Sequence, residues 1–263
     1  MSVGSKVALA ALPPAAAPLA LAVFVLPELW MLWQLFAPNA SGLGPLVRAC
    51  PAAGGQVVLT IDDGPDPATT PALLDLLGAH GAKAVFFVVG EKVRAHPGLA
   101  RAIADHGHEL GNHTDRHAAG AFWCFAPSRI AREIDRCADA VEAAAGVRPR
   151  FFRAPAGIKN PALFVQLEAR GLAYLGWSAR GRDAVSPEPA RPIGRLLRGL
   201  RPGAVLLTHE SGRNAPVRLA VVTGLLREME RRGLRAALPP APPARPRSAA
   251  GRSAPSLPAP AAD

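Results

Sequence analysis

Hydrophobic residues along this chain fall into short runs that are separated by longer amphipathic stretches. The runs are rich in β-branched residues, which is typical of strands, and they cover Val57–Ile61, Val85–Val89, Phe151–Phe152, Ala173–Trp177, Ala204–Thr208 and Leu234–Leu238, with a weaker candidate at His108–Gly111. Helix start signals or helical spacing mark the stretches Pro71–Ala79, Pro97–His106, Pro127–Ala145 and Val217–Arg232. Strands that alternate with helices predict a parallel sheet with crossover helices. Roughly seven such units predict an α/β fold whose sheet closes into a complete or distorted barrel.

A long apolar stretch precedes this pattern and covers residues 7–37. Its part Ala15–Phe36 is long enough to cross a bilayer, which needs roughly 20 apolar residues. Trp30 and Trp33 stand toward the far end, where an interfacial aromatic belt would lie. We expect an uncleaved membrane-anchor helix. A cleaved signal peptide is the alternative, but the end of the run lacks the small-residue cleavage site that it would need.

Composition divides the chain into three parts. Residues 1–45 form the predicted anchor and linker, residues 46–238 the globular domain, and residues 239–263 a proline- and alanine-rich tail that we expect to be disordered. The net charge of +10 comes mainly from scattered arginines, and the only tyrosine is Tyr174. A nucleic-acid surface would need concentrated basic and aromatic residues, so we expect no nucleic-acid partner.

The three cysteines do not predict a disulfide framework or a cysteine-rich zinc site. Cys50, Cys124 and Cys137 are odd in number and include no CxxC spacing. We expect free thiols, with a bond between Cys124 and Cys137 as the alternative.

Reactive side chains stand at the predicted carboxyl ends of several strands, which is where active sites of parallel barrels are built. Asp62 and Asp63 end the first strand before a Gly-Pro turn, and two adjacent acids need a cation or a proton between them. Their alternative role is to cap the next helix. His113 and His117 follow the weaker strand, four residues apart, and Asp115 between them is expected to face solvent.

One carboxylate and two imidazoles form a three-ligand set that leaves positions open for water and substrate. Zinc, iron(II), cobalt and manganese all suit such ligands. Two further residues share the same rim. Arg153 could hold a carboxylate through a forked hydrogen bond, unless it is a surface arginine. His209 could serve as a general acid, unless it is a core histidine, and Glu210 beside it is expected to be structural.

These fragments, in this order, resemble the motifs of the polysaccharide deacetylases of carbohydrate esterase family four, the NodB-homology domain. The chain contains TIDDGP at 60–65, HTDRH at 113–117, RAPAG at 153–157 and LLTH at 206–209. The resemblance covers residues 55–238 and implies a distorted (β/α) barrel.

The resemblance also implies a role for each matching residue. The metal ligands would be Asp63, His113 and His117, with zinc as the preferred divalent ion and cobalt or manganese as alternatives. Asp62 would be the catalytic base and Arg153 would orient it. His209 would be the general acid, tuned by Asp183. The substrate-binding residues would be Leu206, Pro155 and Ala156, with Leu206 against the acetyl methyl group and a backbone N–H near Ala156 at the oxyanion.

One motif departs from the family pattern Asp-x-x-Asp-Trp. Arg180 stands at the first aspartate and Ala184 at the tryptophan, whereas Asp183 is retained. The aromatic segment 122–127 would either supply substitute aromatics at the rim or form a packed loop.

The implied function is metal-dependent removal of N-acetyl groups from a sugar of a polysaccharide or glycolipid. We expect a monomer that is held at the bacterial cytoplasmic membrane by lipid contact of its N-terminal helix, with the catalytic domain on the periplasmic or extracellular side. The alternatives are a catalytically weakened carbohydrate-binding homologue and an O-deacetylase.

Overall fold

A computed structural model describes residues 22–51, 54–210 and 214–241 of the chain. Residues 15–21 of the predicted anchor and residues 242–263 of the predicted tail lie outside these described residues. The helices are α1 (Leu26–Phe36), α2 (Thr70–Ala79), α3 (Gly90–Ala95), α4 (Pro97–Asp105), α5 (Pro127–Ala145), α6 (Leu163–Ala169), α7 (Ala190–Gly199) and α8 (Ala215–Arg231). Short 3₁₀ turns cover Phe122–Cys124, Pro155–Gly157 and Asp183–Val185.

The strands form a single curled, parallel sheet. They are β1 (Leu46–Val47), β2 (Gln56–Gly64), β3 (Ala84–Val88), β4 (Glu109–Asn112), β5 (Phe151–Phe152), β6 (Ala173–Leu175), β7 (Ala179–Arg180), β8 (Val205–His209) and β9 (Arg235–Ala236). Their spatial order is β1-β6-β5-β4-β3-β2-β8-β7, and β9 pairs with β2.

The two ends of this sheet approach each other. Ala49, just after β1, forms an antiparallel bridge with Ala204, just before β8. The amide of Cys50 donates to the carbonyl oxygen of Gly203 at 2.9 Å. The predicted parallel α/β architecture is therefore confirmed, and the curl is consistent with a distorted barrel.

Alternation along the strands divides the core into an outer and an inner part. Val57, Leu59 and Ile61 of β2 pack with the helices around the sheet. Val58 faces the opposite way, into an inner cluster with residues of β3, β5, β6 and β8. Thr60 and Asp62 share the parity of Val58, so β2 brings polar side chains to the inner face at its carboxyl end.

Several predicted boundaries differ from the structure. The run Ala173–Trp177 is not one strand. Strand β6 ends at Leu175, and the chain forms its next strand pairing only at Ala179–Arg180, with β8. The amide of Gly176 instead donates to the carbonyl oxygen of Val47 at 2.8 Å, and that of Ser178 to Val205 at 2.8 Å.

Helices α3, α6 and α7 were not predicted. The first two have only six and seven residues. The sequence does not indicate α7, because it contains Pro192 and Gly194 and both residue types normally interrupt helices. The described residues contain no disulfide, and all three cysteines are free as predicted.

Helix α1 packs on the domain through its last turn alone. Gln34 and Leu35 are its buried residues. The side chain of the buried Lys159 donates to the carbonyl oxygens of Ala37 at 2.6 Å and Pro38 at 3.0 Å, just beyond the helix end. Within the described ranges, no helix is both long enough and apolar enough to cross a membrane.

Candidate active site

Three predicted metal ligands converge at the carboxyl ends of β2 and β4. Asp63 Oδ1 lies 3.4 Å from His113 Nε2 and 3.1 Å from His117 Nε2. The three ligand atoms all lie within 4.8 Å of one another. Donor atoms that bind a tetrahedral ion at about 2.0–2.2 Å are roughly 3.3–3.6 Å apart, so the cluster has the dimensions of a zinc-like site.

Left-handed backbone conformations turn these side chains toward each other. Asp63 has φ 75° and His117 has φ 51°, and Thr114 between the histidines has φ 69°. The amide of His117 donates to Thr114 Oγ1 at 3.0 Å, which holds the loop in this shape. Non-glycine residues with such angles store strain and cluster at functional sites. The adjacent acids Asp62 and Asp63 thereby reach one site although they are neighbours on a strand.

His113 is oriented by a contact on the far side of its ring. Its Nδ1 lies 2.8 Å from the carbonyl oxygen of Arg153, so Nδ1 carries the proton and Nε2 is left with a lone pair toward Asp63. Burial by itself would raise the pKa of Asp63, but hydrogen bonds and charges from His113 and His117 hold that pKa well below its usual range. This donor set fits a divalent metal ion.

Arg153 is a buried residue, and its side chain fixes Asp62. Its Nη1 donates to Asp62 Oδ1 at 2.7 Å and to Thr60 Oγ1 at 2.7 Å. The other guanidinium nitrogens donate to the carbonyl oxygens of Leu175 at 2.9 Å and Gly176 at 2.8 Å. The alternative of a surface arginine is therefore wrong, and the Asp62 carboxyl group is held in place beside the candidate ligand cluster.

His209 ends β8 on the opposite side of the site from the histidine loop. Its Nδ1 lies 2.9 Å from Asp183 Oδ1, and its amide donates to Asp183 Oδ2 at 2.7 Å. Burial alone would lower the pKa of His209, but the hydrogen bond and charge of Asp183, with the charges of Asp62 and Asp63, raise it above its ordinary value. The imidazolium form is thus stabilised, as a general acid requires.

Two sequence expectations about side-chain direction are wrong. Asp115 does not face solvent, because it is buried and pairs with Arg94 at 2.5 Å and with Arg136 at 3.2 Å. Leu206 does not line the site, because it packs in the outer cluster with the helices. Leu207 lies on the inner face with the same parity as His209 and was missed. Counting back two residues from His209 would have found it.

The remaining substrate-site residues lie in the loop after β5. Pro155 is buried, whereas Ala156 is exposed and has φ 53°. In the aromatic segment, Phe122 and Phe125 pack in the core and only Trp123 is exposed among its aromatic residues. Two of its three aromatic side chains are therefore packed in the core. Trp123 lies 5.8 Å, between ring centroids, from Phe36 of α1.

A buried carboxyl group supports the turn that carries the two aspartates. Glu210 lies so close to Gly64 that a Cβ there would stand 1.5 Å from Glu210 Oε1. Its Oε2 accepts a hydrogen bond from Thr70 Oγ1 at 2.5 Å, and burial raises its pKa to about 8. Glu210 is therefore structural, as predicted, and it requires glycine at position 64.

Comparison with known proteins agrees with this geometry. The sequence profile of the family described as polysaccharide deacetylase matches residues 51–175. The chain is 37% identical over 156 residues to a chitooligosaccharide deacetylase of Bradyrhizobium sp. (strain ANU 289), covering 59% of this chain and 70% of that protein. It is 29% identical over 186 residues to a peptidoglycan-N-acetylglucosamine deacetylase of Bacillus cereus, and the match covers 68% of this chain and 84% of that protein.

A solved structure supports the same assignment. A family 4 carbohydrate esterase from Streptomyces lividans, in complex with acetate, is 28% identical with a TM-score of 0.64, and the match covers 72% of this chain and 94% of that one. The chain therefore belongs to the polysaccharide deacetylase family, whose members are metal-dependent hydrolases that act on N-acetyl groups.

Proposed function

We propose that this protein removes the N-acetyl group from an N-acetylated sugar of a polysaccharide or glycolipid. The observation that carries the proposal is the position of Asp62. Its Oδ1 is held by Arg153 at 2.7 Å, and its Oδ2 lies 3.8 Å from Nε2 of the ligand His113. A carboxylate that a buried arginine holds beside a metal site is placed to act as a base. Relatives that are named chitooligosaccharide and peptidoglycan deacetylases support N-acetylglucosamine as the sugar.

Asp63, His113 and His117 would hold the divalent ion, for which we propose zinc on the basis of two imidazoles and a carboxylate. Such an ion acidifies a water molecule and polarises the amide carbonyl group. Asp62 accepts a proton from the attacking water. Arg153 keeps that carboxylate in place through the buried hydrogen bond from its Nη1 to Asp62 Oδ1, while its other bonds fix the guanidinium group.

His209 completes the reaction from the other side of the site. The water oxygen forms a bond to the carbonyl carbon, the C–N bond breaks, and the imidazolium of His209 donates its proton to the departing amine. Asp183 holds the ring in position through Nδ1, which leaves Nε2 for this transfer. The products are acetate and a free amino sugar. Leu207, on the same inner face as His209, is our candidate for contact with the acetyl methyl group.

Two other functions remain in competition. A weakened carbohydrate-binding homologue is motivated by Arg180 and Ala184 in the altered motif. The intact Asp62, His209 and three-ligand cluster support an active enzyme instead. An O-deacetylase would use the same groups on an ester.

The deciding experiment measures acetate release from N-acetylglucosamine oligomers and from O-acetylated glycans. The full chain is supplied with zinc, cobalt or manganese, and the masses of the products are measured by mass spectrometry. We expect a loss of about 42 Da per N-acetyl group from the N-acetylated substrates, because hydrogen replaces the acetyl group. Asp62→Asn should abolish release while the protein keeps its metal. Absence of release from every substrate by metal-loaded protein would refute the proposal.

We also propose that the protein is attached to the bacterial cytoplasmic membrane as a monomer, with its domain on the outer side. Helix α1 supports attachment, because large apolar side chains are exposed around it: Val23 and Phe24 just before it, then Leu26, Leu29, Trp30, Leu32, Trp33 and Phe36. So many exposed large apolar side chains on one helix favour contact with an apolar environment. Protease added to intact spheroplasts should cleave the domain if it lies outside.

A further inference from the structure

Arg180 lies on the inner face of the sheet, on the strand next to the one that ends at His209. On the parallel pair β7–β8, Arg180 is in register with Leu207. Registered residues of paired strands share a face, and Leu207 belongs to the inner cluster. With strands about 4.8 Å apart and alternate residues about 6.7 Å apart, the Cα atom of Arg180 is roughly 8 Å from that of His209. An arginine side chain spans much of that distance.

The guanidinium group of Arg180 rests near an aromatic wall. Its Cζ lies 5.9 Å from the ring centroid of Trp177. The Cζ of Arg153 lies 5.6 Å from the same centroid. Trp177 is only 5% exposed, so it forms part of the inner wall of the barrel. Arg180 itself is half-buried. It is therefore positioned by packing and still reaches solvent at the mouth.

No acidic group neutralises this arginine within the described ranges. Neither Arg180 nor the exposed Arg182 forms an ion pair there, whereas other arginines such as Arg148, Arg150 and Arg170 do. The nearest carboxylate along the chain, Asp183, has both oxygens engaged by His209. Partial burial and the charge of Arg182 lower the pKa of Arg180. Two positive charges without a counter-ion next to a substrate site are suited to an anion.

We propose that Arg180, assisted by Arg182, binds an anionic group of the glycan, a carboxylate or a phosphate, close to the N-acetylated sugar that is hydrolysed. This inference rests on the proposed deacetylase function and narrows its substrate class to charged glycans. A planar guanidinium matches the two oxygens of either group with paired hydrogen bonds, and it stays packed on Trp177 while it does so.

The test compares three substrates of equal length with the metal-loaded full chain. They are a neutral N-acetylglucosamine oligomer, the same oligomer with a phosphate at its reducing end, and an oligomer that alternates with N-acetylmuramic acid. We expect kcat/KM for at least one anionic oligomer to exceed that for the neutral one by about tenfold or more, since charge-assisted hydrogen bonds contribute about 1.5–3 kcal/mol. The phosphate and carboxylate arms identify which anion is bound.

Variants show whether Arg180 causes the preference. Arg180→Ala should reduce the ratio of anionic to neutral kcat/KM by about tenfold to a hundredfold, mainly through KM. Arg180→Lys should retain part of the ratio, because the charge remains while the fork is lost. Arg101→Ala removes an equal charge from the exposed side of α4 and should leave the ratio unchanged. A ratio near one in the wild type, or an equal ratio in Arg180→Ala, would overturn the proposal.

Two further measurements keep the outcome decisive. If Arg180→Ala does not fold, the salt dependence of the wild-type protein is measured instead. The ratio of anionic to neutral kcat/KM should then decline from low to high salt. A preference insensitive to salt and to Arg180→Lys would refute the subsite. If the wild type deacetylates none of the three substrates, the proposed function fails. Calorimetry with glucosamine 1-phosphate against glucosamine then tests the subsite separately.

Discussion

The Nδ1 atom of His113 lies 2.8 Å from the carbonyl oxygen of Arg153, so one residue contacts both the candidate metal cluster and, through its side chain, Asp62. The main chain of Arg153 orients the proposed metal ligand His113, and its side chain orients the proposed base Asp62. The strand end that carries Arg153 therefore couples the position of the ligand to that of the base. A substitution of the side chain should disturb the base and leave the ligand contact in place.

Arg153→Lys tests this division. The lysine keeps one charge near Asp62 but cannot serve the carbonyl oxygens of Leu175 and Gly176, which stay buried. We expect kcat/KM to fall by about a hundredfold and the free energy of unfolding to fall by about 2–5 kcal/mol, while bound metal stays equimolar. Denaturant unfolding, metal analysis and acetate release measure these quantities.

Arg150→Lys is the matched control for that variant. The exposed Arg150 also holds a carboxylate, with two nitrogens at 2.9 and 2.8 Å from Glu109, whereas Arg153 contacts Asp62 through Nη1 alone. Exposed ion pairs contribute about 0–1 kcal/mol, so both stability and activity should hardly change. Equal losses in the two variants would contradict a special role for Arg153.

Asp183→Asn should shift the pH profile of the enzyme. Burial opposes protonation of His209, but Asp183 and the acids of the site outweigh it, so the pKa of His209 is raised. The general acid must be protonated, and activity is lost as pH rises through its pKa. Removal of the Asp183 charge lowers that pKa, so the alkaline limb of kcat/KM should move to lower pH by about one unit.

Asp139→Asn serves as the control for the pH experiment, because Asp139 pairs with Arg148 at the surface. Its profile should match that of the wild type. An alkaline limb that stays in place in Asp183→Asn would show that His209 is not the group that titrates.

Leu206 and Leu207 should respond differently to truncation. Both are buried, so each change to alanine should cost about 2–5 kcal/mol of stability. Leu207→Ala should also widen the inner face beside His209, and the ratio of N-propionyl to N-acetyl hydrolysis should rise by about tenfold. Leu206→Ala, on the outer face, should leave this ratio unchanged. Equal ratios in the two variants would place the acyl group elsewhere.

The exposed indoles of α1 give a test of membrane attachment. Trp33→Asp introduces a charge at a side chain that is 65% exposed, and Val165→Asp does the same on α6 at 66% exposure. In flotation with vesicles that contain anionic lipid, the bound fraction of the Trp33 variant should fall by about tenfold. The Val165 variant should float like the wild type. Equal flotation of both variants, or release of the wild type by high salt, would argue against apolar insertion of α1.

Local patterns predicted much of this molecule. The helix Pro127–Ala145 has the predicted bounds, because its apolar spacing and Pro start signal are both local. The ligand cluster was also predictable, because parallel strands bring their carboxyl ends to one edge. Asp183 was assigned to His209 from its place in a motif, and the structure places the two in contact.

The direction of side chains was not predictable in the same way. Asp115 sits between two ligands in the sequence, yet it is buried against Arg94, since Thr114 and His117 adopt left-handed conformations that rotate the loop. Leu206 matches a position of the family motif, yet it lies on the face of β8 that packs against the helices, beside Leu59 of β2. Small changes in backbone angle decide such directions, and they depend on contacts with distant segments.

The sequence by itself determined the chemistry of this protein: which acids, imidazoles and guanidinium groups are present, and at which strand ends they stand. Alternation, glycine and proline signals and motif spacing are local properties, so they can be read without coordinates. The tertiary structure alone decided that Arg153 contacts both His113 and Asp62, that Leu207 rather than Leu206 lies on the inner face, and that Arg180 stands in register with Leu207 without an ion pair among the described residues. These relationships arise where strands far apart in the chain pair side by side, and strand pairing is not encoded in any single segment.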